Sequence, residues 1–171
     1  MMAGKDVIAK APTGTGKTMA FGIPIIEKID PDSEEVQAVI MAPTRELAMQ
    51  ITDEMRDIAV YHEGVRLVCL YGGQPIGKQI NALKRKPQIV VATPGRLSDH
   101  MKRRTVVLKA VRTVVLDEAD RMLDMGFIHD VTRILDKIPN RKNLGMFSAT
   151  ISREVMDISW VYQRDPEEIT V

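Results

Sequence analysis

Seven short apolar runs, DVIAKA (6–11), VQAVIMA (36–42), VRLVCLY (65–71), QIVVAT (88–93), TVVLDE (113–118), NLGMFS (143–148) and EEITV (167–171), alternate with longer segments of helical spacing. Most of these runs are apolar at successive positions and not at every second one. Strands of that kind must be covered on both faces, which a parallel sheet sandwiched between helices achieves. The intervening segments supply the covering faces. Leu47, Ile51, Met55 and Ile58 fall on one side of a helix, as do Phe127, Val131, Ile134, Leu135 and Ile138. The alternation predicts a single α/β domain over residues 1–171, three layers thick, with a mostly parallel sheet of about seven strands. With 171 residues, 44% of them hydrophobic, the chain can fill one such core. The polar stretch IDPDSEE (29–35) reads as a surface connection.

A parallel sheet gathers its ligands at the carboxyl ends of its strands, so residues just after each run are the ones to inspect. After the first run comes APTGTGKT, from Ala11 to Thr18. Its spacing is that of a phosphate-binding Walker A loop with alanine in place of the first glycine. Gly14 and Gly16 permit a backbone whose N–H groups converge on an anion, and the following helix adds its positive end. Ala11, Pro12, Thr13, Gly14, Thr15, Gly16, Lys17 and Thr18 are therefore the candidate nucleotide loop. Lys17 would neutralise the β- and γ-phosphates, and Thr18 would offer a hydroxyl to Mg²⁺.

The run TVVL ends in DEAD. Asp117 suits a metal ligand and Glu118 a base for water, although acids at a helix start are also ordinary partners of the helix dipole. APTRELA (42–48) and TPGR (93–96) place a proline, a threonine and an arginine at further strand ends. There Thr44 can cap a helix, while Arg45 and Arg96 can grip phosphates or form surface ion pairs. Ser148 closes the sixth run and Thr150 follows it, the SAT stretch reading as a turn, a cap or partners of Asp120.

Taken together these stretches resemble the DEAD-box ATP-dependent RNA helicases. APTGTGKT is similar to the family's motif I, APTRELA to motif Ia, Gly72-Gly73 to its glycine pair, TPGR to motif Ib, DEAD to motif II and SAT to motif III, all in family order; RMLDMGF after DEAD is similar to bacterial or archaeal members. The resemblance implies a RecA-like P-loop NTPase domain that binds ATP and Mg²⁺, the metal held by Thr18 and Asp117. It implies that Lys17, Asp117 and Glu118 serve hydrolysis. Ser148 and Thr150 would bond Asp120, itself counted with the nucleotide site, and so tie nucleotide state to RNA. Pro43, Thr44, Arg45, Gly72, Gly73, Thr93, Pro94, Gly95 and Arg96 would contact the phosphate backbone of single-stranded or duplex RNA. The family works with a second RecA-like domain, normally in the same chain, that supplies an arginine finger. An isolated first domain is then expected to be a nearly inactive monomer.

Two departures from the family pattern remain. The family's upstream adenine-recognising Q motif is not among these 171 residues, so the choice of ATP rests on the resemblance, and Lys10 stands where the family often has glutamine. A stand-alone nucleotide- or RNA-binding module without turnover is the alternative; a small P-loop kinase would need lid and substrate segments that the sequence does not display.

Composition and isolated residues add limits. Charged residues make up 27% of the chain with a net charge of +1, so any nucleic-acid contact must come from local patches and not from bulk charge. The longest apolar stretches fall short of a membrane span and the first ten residues lack a signal-peptide core, which predicts a soluble, cytoplasmic protein without membrane contact. Cys69 is the one cysteine and reads as a core thiol. His62, His100 and His129 show no metal-ligand spacing and read as surface or partly buried side chains; Trp160 and Tyr162 read as packing. Lys84, Arg85, Lys86, Lys102, Arg103 and Arg104 read as solvated helix ends that can add to RNA attraction.

Overall fold

Each of the seven runs contains a strand. In a computed structural model that describes residues 4–12 and 16–170, the elements are β1 (Val7–Lys10), α1 (Thr18–Lys28), β2 (Ala38–Met41), α2 (Arg45–Ala59), β3 (Leu67–Leu70), α3 (Ile76–Leu83), β4 (Ile89–Ala92) and α4 (Pro94–Lys102). They continue with β5 (Thr113–Leu116), α5 (Ala119–Asp124), α6 (Ile128–Asp136), β6 (Asn143–Ser148), α7 (Arg153–Tyr162) and β7 (Glu167–Thr170). All seven strands pair in parallel in the order β3-β4-β2-β5-β6-β1-β7. The sheet is therefore wholly parallel.

Successive residues of the central strands enter opposite layers. Val39 and Met41 of β2, with Val114 and Leu116 of β5, join a layer completed by Leu97, Met122, Ile134 and Val155. Ala38, Ile40 and Val115 face the other layer, with Phe21, Ile26, Ile51 and Met55 of α1 and α2. Two-sided burial is what runs without alternation require. The β7 edge differs, since all four of its residues are exposed and among the described residues it pairs only with β1.

Three readings of single residues need correction. His100 is fully buried, because it continues the inward stripe of α4 after Pro94 and Leu97. Trp160 is 87% exposed; α7 turns Val155 and Ile158 to the core and carries Trp160 away from it. Cys69 is half-buried, not a core thiol, because β3 is an edge strand with an incompletely covered face. Tyr162 does pack against the core, and its hydroxyl donates to Asp136 Oδ1 at 2.9 Å.

Candidate functional site

The strand order sorts the motif loops. Adjacent β5, β6 and β1 end in Asp117-Glu118, Ser148 and Ala11, whereas adjacent β3, β4 and β2 end beside Gly72-Gly73, Thr93–Arg96 and Pro43–Arg45. The carboxyl edge thus has two contiguous halves, one carrying the candidate nucleotide residues and one the candidate RNA residues.

In the first half, Lys17 stands at the N-cap position of α1 without a side-chain capping bond and Thr18 opens the helix; both are buried, and the first turn holds no acid that would compete for an anion. Gly16 has φ +64 with open space where a Cβ would stand. Thr13, Gly14 and Thr15, the centre of the predicted loop, lie outside the described residues. Ala11 is buried and its N–H donates to Ser148 O, which fastens the loop's start to β6; Pro12 is exposed.

Lys17 Nζ lies 3.0 Å from Asp117 Oδ1, with both side chains almost fully enclosed. Yet among the described residues neither Nζ nor the carboxylate's other oxygen, Oδ2, has a well-directed hydrogen-bond partner beyond this contact. Burial pushes the Asp117 carboxyl above its ordinary range, against the opposing pull of Lys17. Buried polar atoms left this way mark a place built for further polar ligands. Glu118 follows with φ +51, a left-handed conformation that costs a non-glycine residue about 1–2 kcal/mol. It is buried, and its Oε1 is 3.5 Å from Arg121 Nη1.

Asp120 is tied to the loop after β6. Its Oδ2 accepts from the Thr150 hydroxyl at 2.9 Å and the Thr150 N–H at 3.2 Å, while its own N–H donates to Ser148 Oγ at 3.1 Å. Ser148 in turn donates to Thr150 O at 2.7 Å. Partial burial raises the Asp120 carboxyl, but the hydrogen bonds, led by that from Thr150, outweigh it and hold the group below its ordinary range.

In the second half, Thr44 caps α2 by accepting from Leu47 N–H, which leaves Arg45 exposed at the first helical position. The Arg45 guanidinium stacks 5.2 Å from the centre of the Tyr71 ring, and a Cβ at Gly73 would stand 3.5 Å from its Nη1. Arg45 and Gly73 are therefore neighbours. Gly72, Gly73 and Gly95 are exposed and Arg96 is half-buried, whereas Pro43, Thr93 and Pro94 are buried and shape the loops from beneath.

Sequence reasoning missed the support of this half. Buried Gln79 donates through Nε2 to Tyr71 O and Gln74 Oε1, and accepts through Oε1 from Arg96 and His100. A legible signal existed: a polar residue on the same face of α3 as Leu83.

Among the described residues no three His, Cys, Asp or Glu side chains form a metal-binding cluster, and no helix is long and apolar enough to cross a membrane. Residues 1–158 match the DEAD/DEAH box helicase family. The chain is 51% identical over 170 residues to the DEAD-box ATP-dependent RNA helicase CshA of Bacillus licheniformis, covering 99% of this chain and 35% of that protein. It is 50% identical to the ATP-dependent RNA helicase CshA of Listeria monocytogenes, covering 32% of that protein. The chain thus spans about a third of the length of these relatives. Among solved structures it superposes on a DEAD box protein from Methanococcus jannaschii with a TM-score of 0.91 and 42% identity, covering 97% of this chain and 45% of that one. A hypothetical ATP-dependent RNA helicase from Sulfolobus tokodaii gives a TM-score of 0.91 and 41% identity, over 100% of this chain and 49% of that one.

Proposed function

Since the chain belongs to the DEAD/DEAH box helicase family, we propose that it is the ATP-binding domain of an ATP-dependent RNA helicase, coupling ATP binding and hydrolysis to local unwinding of RNA together with a second RecA-like domain. The observation that carries this proposal is the division of one sheet edge into adjoining halves, with Asp120, Ser148 and Thr150 hydrogen-bonded across neighbouring strand ends.

ATP is the substrate. Its phosphates meet the amino end of α1 and Lys17, which exchanges part of its contact with Asp117 for phosphate oxygens. Asp117 Oδ2, without a partner among the described residues, and the buried Thr18 fit Mg²⁺, which when bound neutralises phosphate charge. Glu118 orients the attacking water and takes its proton. Its left-handed backbone at the end of β5 is strain of the kind kept at functional sites. Hydrogen bonds from Thr150 and to Ser148 make Asp120 sensitive to any shift of the DEAD loop, and transmit that shift to the β6 loop.

On the other half, Arg45, Arg96 and the exposed N–H groups around Gly72, Gly73 and Gly95 hold RNA phosphates, with Pro43, Thr44, Thr93 and Pro94 fixing the turns. Such contacts grip backbone without reading sequence. Closure against the second domain bends one strand and opens a short duplex; hydrolysis reopens the pair. The working unit is a cytoplasmic monomer.

Steady-state ATPase activity, with and without single-stranded RNA, tests this on the chain alone and then joined to a matching second domain. Near-background turnover alone, because the arginine finger is worth about 10³–10⁵ in rate, followed by RNA-stimulated turnover on joining is the expected result. RNA and nucleotide binding without turnover in the joined protein would favour a binding module. Robust turnover by the chain alone would overturn the two-domain mechanism.

A further inference from the structure

We infer that Gln79 and His100 are positioning residues that lock Arg96 and the Gly72-Gly73 loop into one rigid surface for the RNA backbone, an inference resting on the RNA-contact role proposed above for these loops. Gln79 is 2% exposed and His100 fully buried, so neither touches RNA. Their hydrogen bonds connect segments that follow different strands.

The Gln79 amide has its bonding capacity filled. Nε2 donates to Tyr71 O at 2.8 Å and to Gln74 Oε1 at 3.0 Å, both in the loop after β3. Oε1 accepts from Arg96 Nη1 at 3.2 Å and from His100 Nε2 at 2.8 Å, both on α4 after β4. Because the oxygen faces Arg96, which can only donate, the amide orientation is fixed and His100 must carry its proton on Nε2. His100 Nδ1, 2.7 Å from Thr105 Oγ1, then accepts the hydroxyl's one proton in preference to the His100 carbonyl at 3.1 Å. Burial, with the charge of Arg96 second, holds the imidazole below its ordinary range and keeps it neutral.

Arg96 gains most. Nη1 donates inward to Gln74 O at 2.9 Å and to Gln79 Oε1, which uses both of its protons. Nε and Nη2 have no hydrogen-bond partner among the described residues. One nitrogen is anchored and the remaining pair is left for a bidentate phosphate contact. The same Gln74 carbonyl and Tyr71 carbonyl fix the glycine loop, so the guanidinium fork and the loop's exposed N–H groups keep one spacing. Pre-set spacing lowers the ordering cost of binding a flexible strand.

The test compares Gln79→Met, Gln79→Glu and His100→Gln with Arg96→Ala in the two-domain enzyme. It reads the RNA concentration for half-maximal ATPase stimulation, kcat at saturating RNA, and the KM for ATP. Gln79→Met should raise the RNA requirement about tenfold, as expected for losing hydrogen bonds to a charged group, with kcat and the KM for ATP within about twofold. His100→Gln, which restores an N–H donor toward Gln79, should stay near the parent value. Gln79→Glu keeps acceptors for Arg96 and His100 but turns a carboxylate oxygen toward the Tyr71 carbonyl and Gln74 Oε1, acceptor against acceptor, so it should raise the RNA requirement at least as far, and it carries the test if the Met variant fails to fold. A parental RNA requirement in the Gln79 variants, with a raised one in Arg96→Ala, overturns the tether alone. So does a parallel loss of RNA affinity, kcat and ATP affinity, the signature of general unfolding. An unchanged RNA requirement in Arg96→Ala overturns the RNA role of Arg96 itself and the tether with it.

Discussion

Lys17 Nζ is 3.0 Å from Asp117 Oδ1 in an almost fully enclosed pair, and among the described residues the amine has no further partner. A single contact leaves the ammonium's remaining protons available to a phosphate and Asp117 Oδ2 available to a cation. Lys17→Ala removes the cation from the phosphate site and strands a buried carboxylate. Removing one member of a buried charge contact costs about 2–5 kcal/mol, so nucleotide affinity should fall by at least about 30-fold. Isothermal calorimetry with ATP checks this; unchanged affinity would remove Lys17 from the nucleotide site.

Glu118 combines a chemical role with a conformational cost. Glu118→Gln keeps size and hydrogen bonding but cannot take a proton. In the two-domain enzyme it should bind ATP and RNA while turnover falls by about 10²-fold or more. Glu118→Gly should be equally inactive, yet no less stable than the parent despite truncating a buried side chain, because glycine relieves the φ of +51. A melting temperature raised by about 2–4 °C corresponds to recovering about 1 kcal/mol in a domain of this size. A marked drop in melting temperature would show that Glu118 packing outweighs its strain.

Much of this arrangement was legible in the chain because strands buried on both faces must be apolar throughout. That rule located the buried strands, though not β7, whose four residues are all exposed, and strand ends located the loops. The order of strands was not legible: parallel strands can be connected in many ways, so nothing in the runs says that β4 lies between β3 and β2. The separation of the edge into two halves follows from that order alone. Thr44 was readable as a cap because capping is local, and Leu47 N–H does bond it. Gln79 and His100 escaped because each takes its meaning from partners on other elements: the polar residue on the apolar stripe of α3 can be read, but not what it bonds. Trp160 failed for the opposite reason, since an aromatic ring suggests packing whether or not its helix turns it inward.

Asp120 gives stability a pH dependence of definite sign. Its hydrogen bonds, outweighing partial burial, hold the folded-state carboxyl below the ordinary value of 3.8. A group depressed in the folded state contributes stability that is present above its unfolded pKa and lost as pH falls through the folded one. Asp120→Asn should therefore lower the melting temperature at pH 7, and the gap from the parent should narrow as pH drops below about 4. Thermal melts of both proteins across that range test it. A gap that stays constant with pH would mean that the Asp120 charge does not contribute. Thr150→Ala, which removes the 2.9 Å hydroxyl contact, should show part of the same narrowing.

Gly72 and Gly73 are adjacent and both exposed, but only the second has a positive φ, +89. A Cβ at Gly72 would meet nothing within 4 Å, whereas at Gly73 it would stand 3.5 Å from Arg45 Nη1, an ordinary contact. The cost at Gly73 is therefore in the backbone and not in a clash. Gly73→Ala should lose about 1–2 kcal/mol of stability, or about 2–8 °C in melting temperature, while Gly72→Ala should melt close to the parent. If the alanine is accommodated by rotating the loop, the N–H groups around position 73 turn away from a backbone held by Arg45 and Arg96. The RNA requirement of the two-domain enzyme should then rise severalfold more for Gly73→Ala than for Gly72→Ala, with the KM for ATP unchanged in both. Equal melting temperatures and equal RNA requirements for the two variants would show that the left-handed turn does not organise the RNA surface.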